Sequence, residues 1–303
     1  MTVADLRKEF EENPTIMKQI MYYNSNLRGT RSYWHARGKE LLAMVEQLGL
    51  PTLFFTLSAA DLHWPDLFHF LAPGEDPKTM TSTRRRKLVE ENPSKVDEFF
   101  TLRGQTFIEK VLKKKFEVED LWFRIEYQHR GSPHIHGVLW LKDAPNVDDL
   151  AQCSDEEILK VLSYFDRYIS TTHPDINCPA SPVHPCQKKL SEVLDIKRDL
   201  AELLNRVQRH TKCSEAYCLR INKKTKKKEC RFKFPRELLE YSQIVITPDN
   251  DVELLTARND QYLNKFNDYI IQTWRANIDV SPVLSKRALV NYLAKYITKS
   301  ETI

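Results

Sequence analysis

Apolar residues recur at two different periods along the chain, and the changes of period outline its elements. Leu6 and Phe10, Ile16 and Ile20, then Leu41, Leu42, Met44, Val45 and Leu48 repeat at helical spacing, so much of the first 50 residues is expected to be helical. Gly49 followed by Pro51 supplies the stop. In PTLFFTLS, residues 51–58, the run is continuous from Leu53, the pattern of a strand buried on both faces. AADLHWPDL follows, where Trp64-Pro65 is expected to end regular structure. Helical spacing returns over 93–116 through Val96, Phe99, Phe100, Leu102, Phe107, Ile108, Val111 and Leu112. Two strands come next, 121–128 and 134–142, joined by a short turn, and Leu150, Ile158, Val161, Leu162 and Phe165 then predict a helix within 147–169. Near the end, Ser285 is an N-cap candidate for a helix through SKRALVNYLAKYITKS.

Composition adds bounds to this outline. The 303 residues suffice for one large or two ordinary domains, and 41% apolar with 10% aromatic residues argues against wholesale disorder. The longest apolar runs fall far short of the ~20 residues that span a bilayer, and no membrane partner is expected. The N-terminus lacks the apolar stretch of a secretory signal, so the expected compartment is reducing and the six cysteines call for something other than disulfides. Net charge is only +4, but Arg84 to Arg86, Lys113 to Lys115 and Lys223 to Lys228 are local basic runs that the balance conceals. Each is either a solvated face or a contact to a polyanion.

The strand at EYQHRGSPHIHGVLWL, residues 126–141, carries the first candidate chemistry. Strand period two puts His134 and His136 on one face. If the connection spans 129–133, Gln128 pairs with His134 and Glu126 with His136, and all four side chains share that face. Two imidazoles and a carboxylate with open positions suit a divalent ion that also holds a substrate oxygen. An HxH on an ordinary half-exposed strand is the competing reading. In NYLAKYITK, Tyr292 and Tyr296 are neighbours on one helical face, with Lys295 and Lys299 flanking it. Both rings could serve as core residues beside Leu289, Leu293 and Ile297. The chemical alternative is attack by a phenol on a phosphodiester, which needs a cation at the phosphate and, for a group titrating near ~10, a partner for the phenolate.

Between about 170 and 240 the chain turns Cys/His/Pro-rich and then Lys-rich, as expected of an insert with its own small fold. His210, Cys213, Cys218 and Cys230 have the donor types and spacing of a tetrahedral structural zinc, with free buried thiols as the alternative. Cys178, His184 and Cys186 make a second cluster that either joins this site or forms another. Lys226, Lys227, Lys228 and Arg231, beside Phe232 and Phe234, interleave charge with aromatics in the manner of single-strand binders.

FFTLSAADLHWPDL, EYQHRGSPHIHGVLWL, WRANIDV and YLAKYITK, in this order over about residues 30 to 300, resemble the HUH endonuclease (Rep) domain of Helitron transposases. The resemblance implies an α+β fold with an RRM-like or ferredoxin-like central antiparallel sheet flanked by helices. It divides the chain into a helical region, 1–50, a nuclease core over 51–169 and 241–303 with the tyrosine helix, and the Cys/His-rich insert over 170–240. It further implies a Mg²⁺ or Mn²⁺ ion on His134 and His136, with Glu126, favoured, or Gln128 as third ligand. Tyr292 and Tyr296 would cut single-stranded DNA at transposon ends and target, leaving a 5′-phosphotyrosine and a free 3′-OH. Cys/His-rich inserts also occur in that family, which favours DNA contact by the insert. Helitron proteins carry a helicase as well, and without a GxxxxGK[ST] motif here that helicase is expected elsewhere in a longer polypeptide. The expected location is the nucleus of a eukaryote, or otherwise the cytoplasm. Rival readings are a plasmid or viral replication initiator or relaxase, a domesticated DNA-binding module without cleavage, and a hydrolase acting through metal-bound water.

Overall fold

The computed structural model of the protein describes residues 12–27, 30–127, 131–147, 150–222, 225–247 and 251–290. The chain divides into two compact units, one comprising Met1–Pro51 and Ser285–Ile303, the other Thr52–Leu284. The first contains α1 (Pro14–Asn24) and α2 (Arg31–Leu48). Thr30 caps α2 by accepting from the Tyr33 N–H at 3.1 Å, and Gly49 closes it in the left-handed region, φ +79°. Residues 286–290 are helical, and the Ser285 hydroxyl accepts from the Ala288 N–H at 3.0 Å, as its expected capping role requires. Tyr292, Lys295, Tyr296 and Lys299 lie outside the described residues.

The second unit is built on an antiparallel sheet. Its elements in chain order are β1 (Leu53–Ser58), α3 (Pro65–Leu71), α4 (Ser82–Glu91), α5 (Pro93–Phe107) extended by a π turn at Ile108–Leu112, β2 (Val118–Tyr127) and β3 (Pro133–Leu141). There follow α6 (Asp155–Asp166), α7 (Ile196–Leu203) with a π turn at Leu204–Gln208, the ribbon β4 (Leu219–Ile221) and β5 (Lys228–Cys230), and the ribbon β6 (Gln243–Ile246) and β7 (Val252–Leu255). The last elements are α8 (Asp268–Trp274) and β8 (Ile278–Pro282). The central sheet has the order β2-β3-β1-β8 with every neighbouring pair antiparallel, so the class is α+β as expected. No helix among the described residues is long and apolar enough to cross a membrane.

Three sequence expectations change at this level. Trp64-Pro65 begins a helix rather than ending structure, because Pro65 occupies the first helical position, where its missing N–H costs nothing. β1 is not buried on both faces: Leu53, Phe55 and Leu57 are buried while Phe54 and Thr56 are only half-buried. Arg84 to Arg86 fall on α4, and Arg85 is no solvated residue; it is buried over the Phe68 ring and donates to the Pro77 carbonyl at 2.6 Å.

Close packing sets one face of the sheet. A Cβ on Gly104 of α5 would meet Ile135 Cδ1 at 2.4 Å, so the bare glycine lets α5 press onto β3. Trp274 is fully buried against Trp64, Phe100 and Phe107, and its indole N–H donates to the Ser58 carbonyl at 2.7 Å. With Ile135 committed to that core, strand alternation turns His134 and His136 to the opposite face.

Candidate functional site

The histidine hairpin is two residues out of register with the expected pairing. Glu126 stands opposite His134 and Arg124 opposite His136, where Gln128 and Glu126 were expected. The cause is Pro133. It enters β3 as its first residue, opposite Tyr127, and its carbonyl accepts from the Ala59 N–H at 3.1 Å. A strand's first position tolerates a residue with no N–H to donate, so the proline is strand rather than turn. The pairing slides by two residues, and a slide of two preserves facing, so Glu126 stays on the histidine face. Gln128 lies outside the described residues.

The geometry assigns the His134 hydrogen and orients both rings. His134 Nδ1 lies 3.2 Å from the Ser132 carbonyl, which can only accept, so this nitrogen carries the hydrogen. His136 Nδ1 lies 3.1 Å from the Thr56 hydroxyl on the neighbouring strand. Each Nδ1 thus has an orienting partner of the kind that fixes metal-binding imidazoles, and the nitrogen suited to ligation is Nε2. His136 Nε2 is 3.6 Å from Glu126 Oε2. Burial lowers the His134 pKa below its usual value and keeps the ring neutral, as ligation requires. Thr56 shares this face through its contact to His136.

Two charged residues at this site escaped the sequence reading. Arg124 sits on the same face by strand alternation and places Nη2 3.3 Å from Glu126 Oε2, with both side chains largely buried. The period that selected Glu126 selects Arg124 as well. Asp61, in the segment after β1, hydrogen-bonds Ser132 and interacts electrostatically with His134, and burial raises its pKa. Nothing local marks Asp61, because its neighbourhood comes from β1 pairing with β3.

A second cluster lies in the Cys/His-rich segment. The donor atoms of His210, Cys213, Cys218 and Cys230 all lie within 4.8 Å of one another, with His210 Nε2 3.2 Å from Cys213 Sγ and 3.4 Å from Cys230 Sγ. In a tetrahedral site with metal–sulfur and metal–nitrogen bonds of ~2.3 and ~2.0 Å, the nitrogen–sulfur edge is about 3.5 Å, so these four donors fit a metal such as zinc. Burial lowers the His210 pKa, which favours the neutral, ligating imidazole. Cys178, His184 and Cys186 do not join it; among the described residues the one group of this kind is the His210 cluster. His184 instead stacks on His63, ring centroids 3.6 Å apart and planes 7° from parallel.

The Cys/His-rich segment is fastened to the sheet by Gln208, two residues before His210. Its buried amide donates to the Lys265 and Ile278 carbonyls at 2.7 and 2.6 Å and accepts from Asn277 at 2.8 Å. Asn277 in turn accepts from the hydroxyl of Ser58, the residue opposite His134. Of the expected DNA contacts, Lys226 and Lys227 lie in the β4–β5 connection, Lys228 pairs with Glu215 at 2.5 Å, and Arg231 is exposed beside Cys230.

The family comparison covers β1, both histidines and Glu126. Residues 1–139 match the Helitron helicase-like domain at N-terminus. The N-terminal part of the chain is therefore Helitron-related, which supports a Helitron-associated function in general terms. The Helitron match ends within β3, before the Cys/His cluster, WRANIDV and the paired tyrosines. No curated protein matches the chain.

Proposed function

We propose that the chain is the HUH nuclease segment of a Helitron-type rolling-circle transposase, acting on single-stranded DNA. The observation that carries this reading is the orientation of His134 and His136: same-face imidazoles whose Nδ1 atoms are held by Ser132 and Thr56, with Glu126 beside them. His134, His136 and Glu126, or Gln128 in place of Glu126, would hold a Mg²⁺ or Mn²⁺ ion, which when bound would polarise the scissile phosphate. The phenol oxygen of Tyr292 or Tyr296 attacks phosphorus, the bond to the 3′ oxygen breaks, and the DNA is left with a free 3′-OH and a 5′-phosphotyrosine. Lys295 and Lys299 stabilise the phenolate. Two tyrosines allow donor and target strands to be held covalently together, and because each cut conserves a phosphoester no nucleotide hydrolysis is needed for strand transfer. Arg124 neutralises Glu126 or a strand phosphate at the same face. Lys226, Lys227, Lys228 and Arg231 hold the strand at the insert, and the helicase of this cycle belongs to the same full-length polypeptide.

Incubating the chain with labelled single-stranded DNA and Mg²⁺ or Mn²⁺, then running a denaturing gel, tests the reading. A covalent protein–DNA adduct is expected and should vanish when Tyr292→Phe and Tyr296→Phe are combined. Cleavage that survives the double change would sink the tyrosine mechanism. His134→Ala with His136→Ala should abolish the adduct while DNA affinity persists.

A further inference from the structure

The Cys/His knuckle carries a surface that neither its metal nor the hairpin chemistry requires. Tyr217 sits in the turn directly before Cys218 with 53% of its surface exposed. Arg231 directly follows Cys230, is exposed, and lays its guanidinium 5.2 Å from the Tyr217 ring centroid and 4.6 Å from that of Phe232. The two rings are themselves 5.8 Å apart. Two of these three residues are therefore chain neighbours of a candidate ligand, and the Arg231 N–H donates to the Cys218 carbonyl at 2.9 Å, tying both halves together. A tyrosine at this position has no core to fill, and holding the exposed Tyr217 and Arg231 against the half-buried Phe232 ring loses side-chain entropy for little cation–π attraction. An exposed tyrosine ring and a planar guanidinium, pre-positioned over the half-buried Phe232 ring, are instead what successive unpaired bases stack on.

We infer that Tyr217, Arg231 and Phe232 form a stacking platform for unpaired bases of a single DNA strand, organised by the metal held by His210, Cys213, Cys218 and Cys230. DNA as the occupant rests on the proposed function; the base-stacking itself rests on the platform geometry. A duplex keeps its base faces stacked internally and cannot use such a surface, so the platform selects single strands. Phosphates are left to Lys226 and Lys227 in the adjoining connection.

The test is fluorescence anisotropy with the zinc-loaded 303-residue chain carrying Tyr292→Phe and Tyr296→Phe, so that cleavage does not enter. The probes are labelled oligo(dT) of about 12 nucleotides, the same length with abasic sites, oligo(U), and a duplex. Tyr217→Ala is expected to weaken oligo(dT) binding at least about fivefold while leaving abasic and duplex binding and zinc content unchanged. Arg231→Lys, which keeps the charge but removes the planar group, should show the same selective loss in smaller measure. Equal affinity for abasic and normal strands, or equal losses on both, would reduce the surface to phosphate contact and overturn the assignment, as would tighter binding of oligo(U) than of oligo(dT). A platform that passes in a chain that forms no adduct leaves a DNA-binding module, so the two readings fail separately.

Discussion

His63 and His184 meet in the fold although nothing local in the sequence pairs them. Their rings stack in parallel, and burial, reinforced by Arg85 and Arg206 and for His184 by His63, lowers their pKa values to about 4 and about 3. Both therefore fold as neutral imidazoles. In the unfolded chain each would take up its proton near pH ~6.5, so unfolding gains protons as pH falls. The stability they confer is full above about pH 6.5 and is lost as pH drops toward their folded values, on the order of 1 kcal/mol for each ring by pH 5 after solvent screening. Urea unfolding at pH 7.5 and pH 5 should resolve this loss. The His63→Phe chain, which keeps a flat ring but cannot take up a proton, should lose roughly half of the dependence. An unchanged slope in that variant would remove the stack as its cause.

Among elements, β3 carries the most constraint. One side of it must accept α5 at Ile135, and Gly137 lies where a Cβ would come within 2.4 Å of the Phe55 ring and 2.7 Å of the Trp122 carbonyl. A side-chain ring can shift, but the backbone of β2 is held by the ladder that sets the histidine register. Gly137→Ala is accordingly expected to cost about 1–3 kcal/mol in chemical denaturation through overpacking, and to move His136, its neighbour in β3. Lys113 to Lys115 behave as a basic run at a helix end should: they are exposed, and Lys113 pairs with Glu109 at 2.7 Å. Arg84 to Arg86 do not, because α4 turns Arg85 inward.

Within the unit Thr52–Leu284, residues far apart in the chain are joined at Arg275. It terminates α8 in the left-handed region, φ +63°, and forms a bidentate pair with Asp199 of α7 at 2.5 and 3.0 Å, both side chains at most 4% exposed. Its guanidinium also donates to the Pro185 carbonyl, and its own carbonyl accepts from the Trp64 indole at 3.0 Å. Removing one partner of a buried pair strands the other charge without solvent. Arg275→Met should therefore lower unfolding free energy by about 3–5 kcal/mol, and Asp199→Asn should also be destabilising, as read by denaturant midpoints. The WRANIDV segment that helped mark the Helitron resemblance is, at Arg275, Asn277 and Ile278, a set of internal fastenings.

Much of this protein is written over a few residues at a time. The helical and strand periods, the Gly49 stop, the Ser285 cap, the shared face of His134, His136 and Glu126, and the clustering of His210, Cys213, Cys218 and Cys230 all follow from local spacing, because backbone geometry repeats within one or two turns. Other features required the folded chain. Pro133 entering the strand moved the hairpin register, β1 against β3 brought Asp61 to His134, the knuckle brought Tyr217 under Arg231, and packing stacked His63 on His184 across 121 positions, that is 184 less 63. Such contacts depend on which buried surfaces fit each other, and no periodicity in one segment encodes the shape of another.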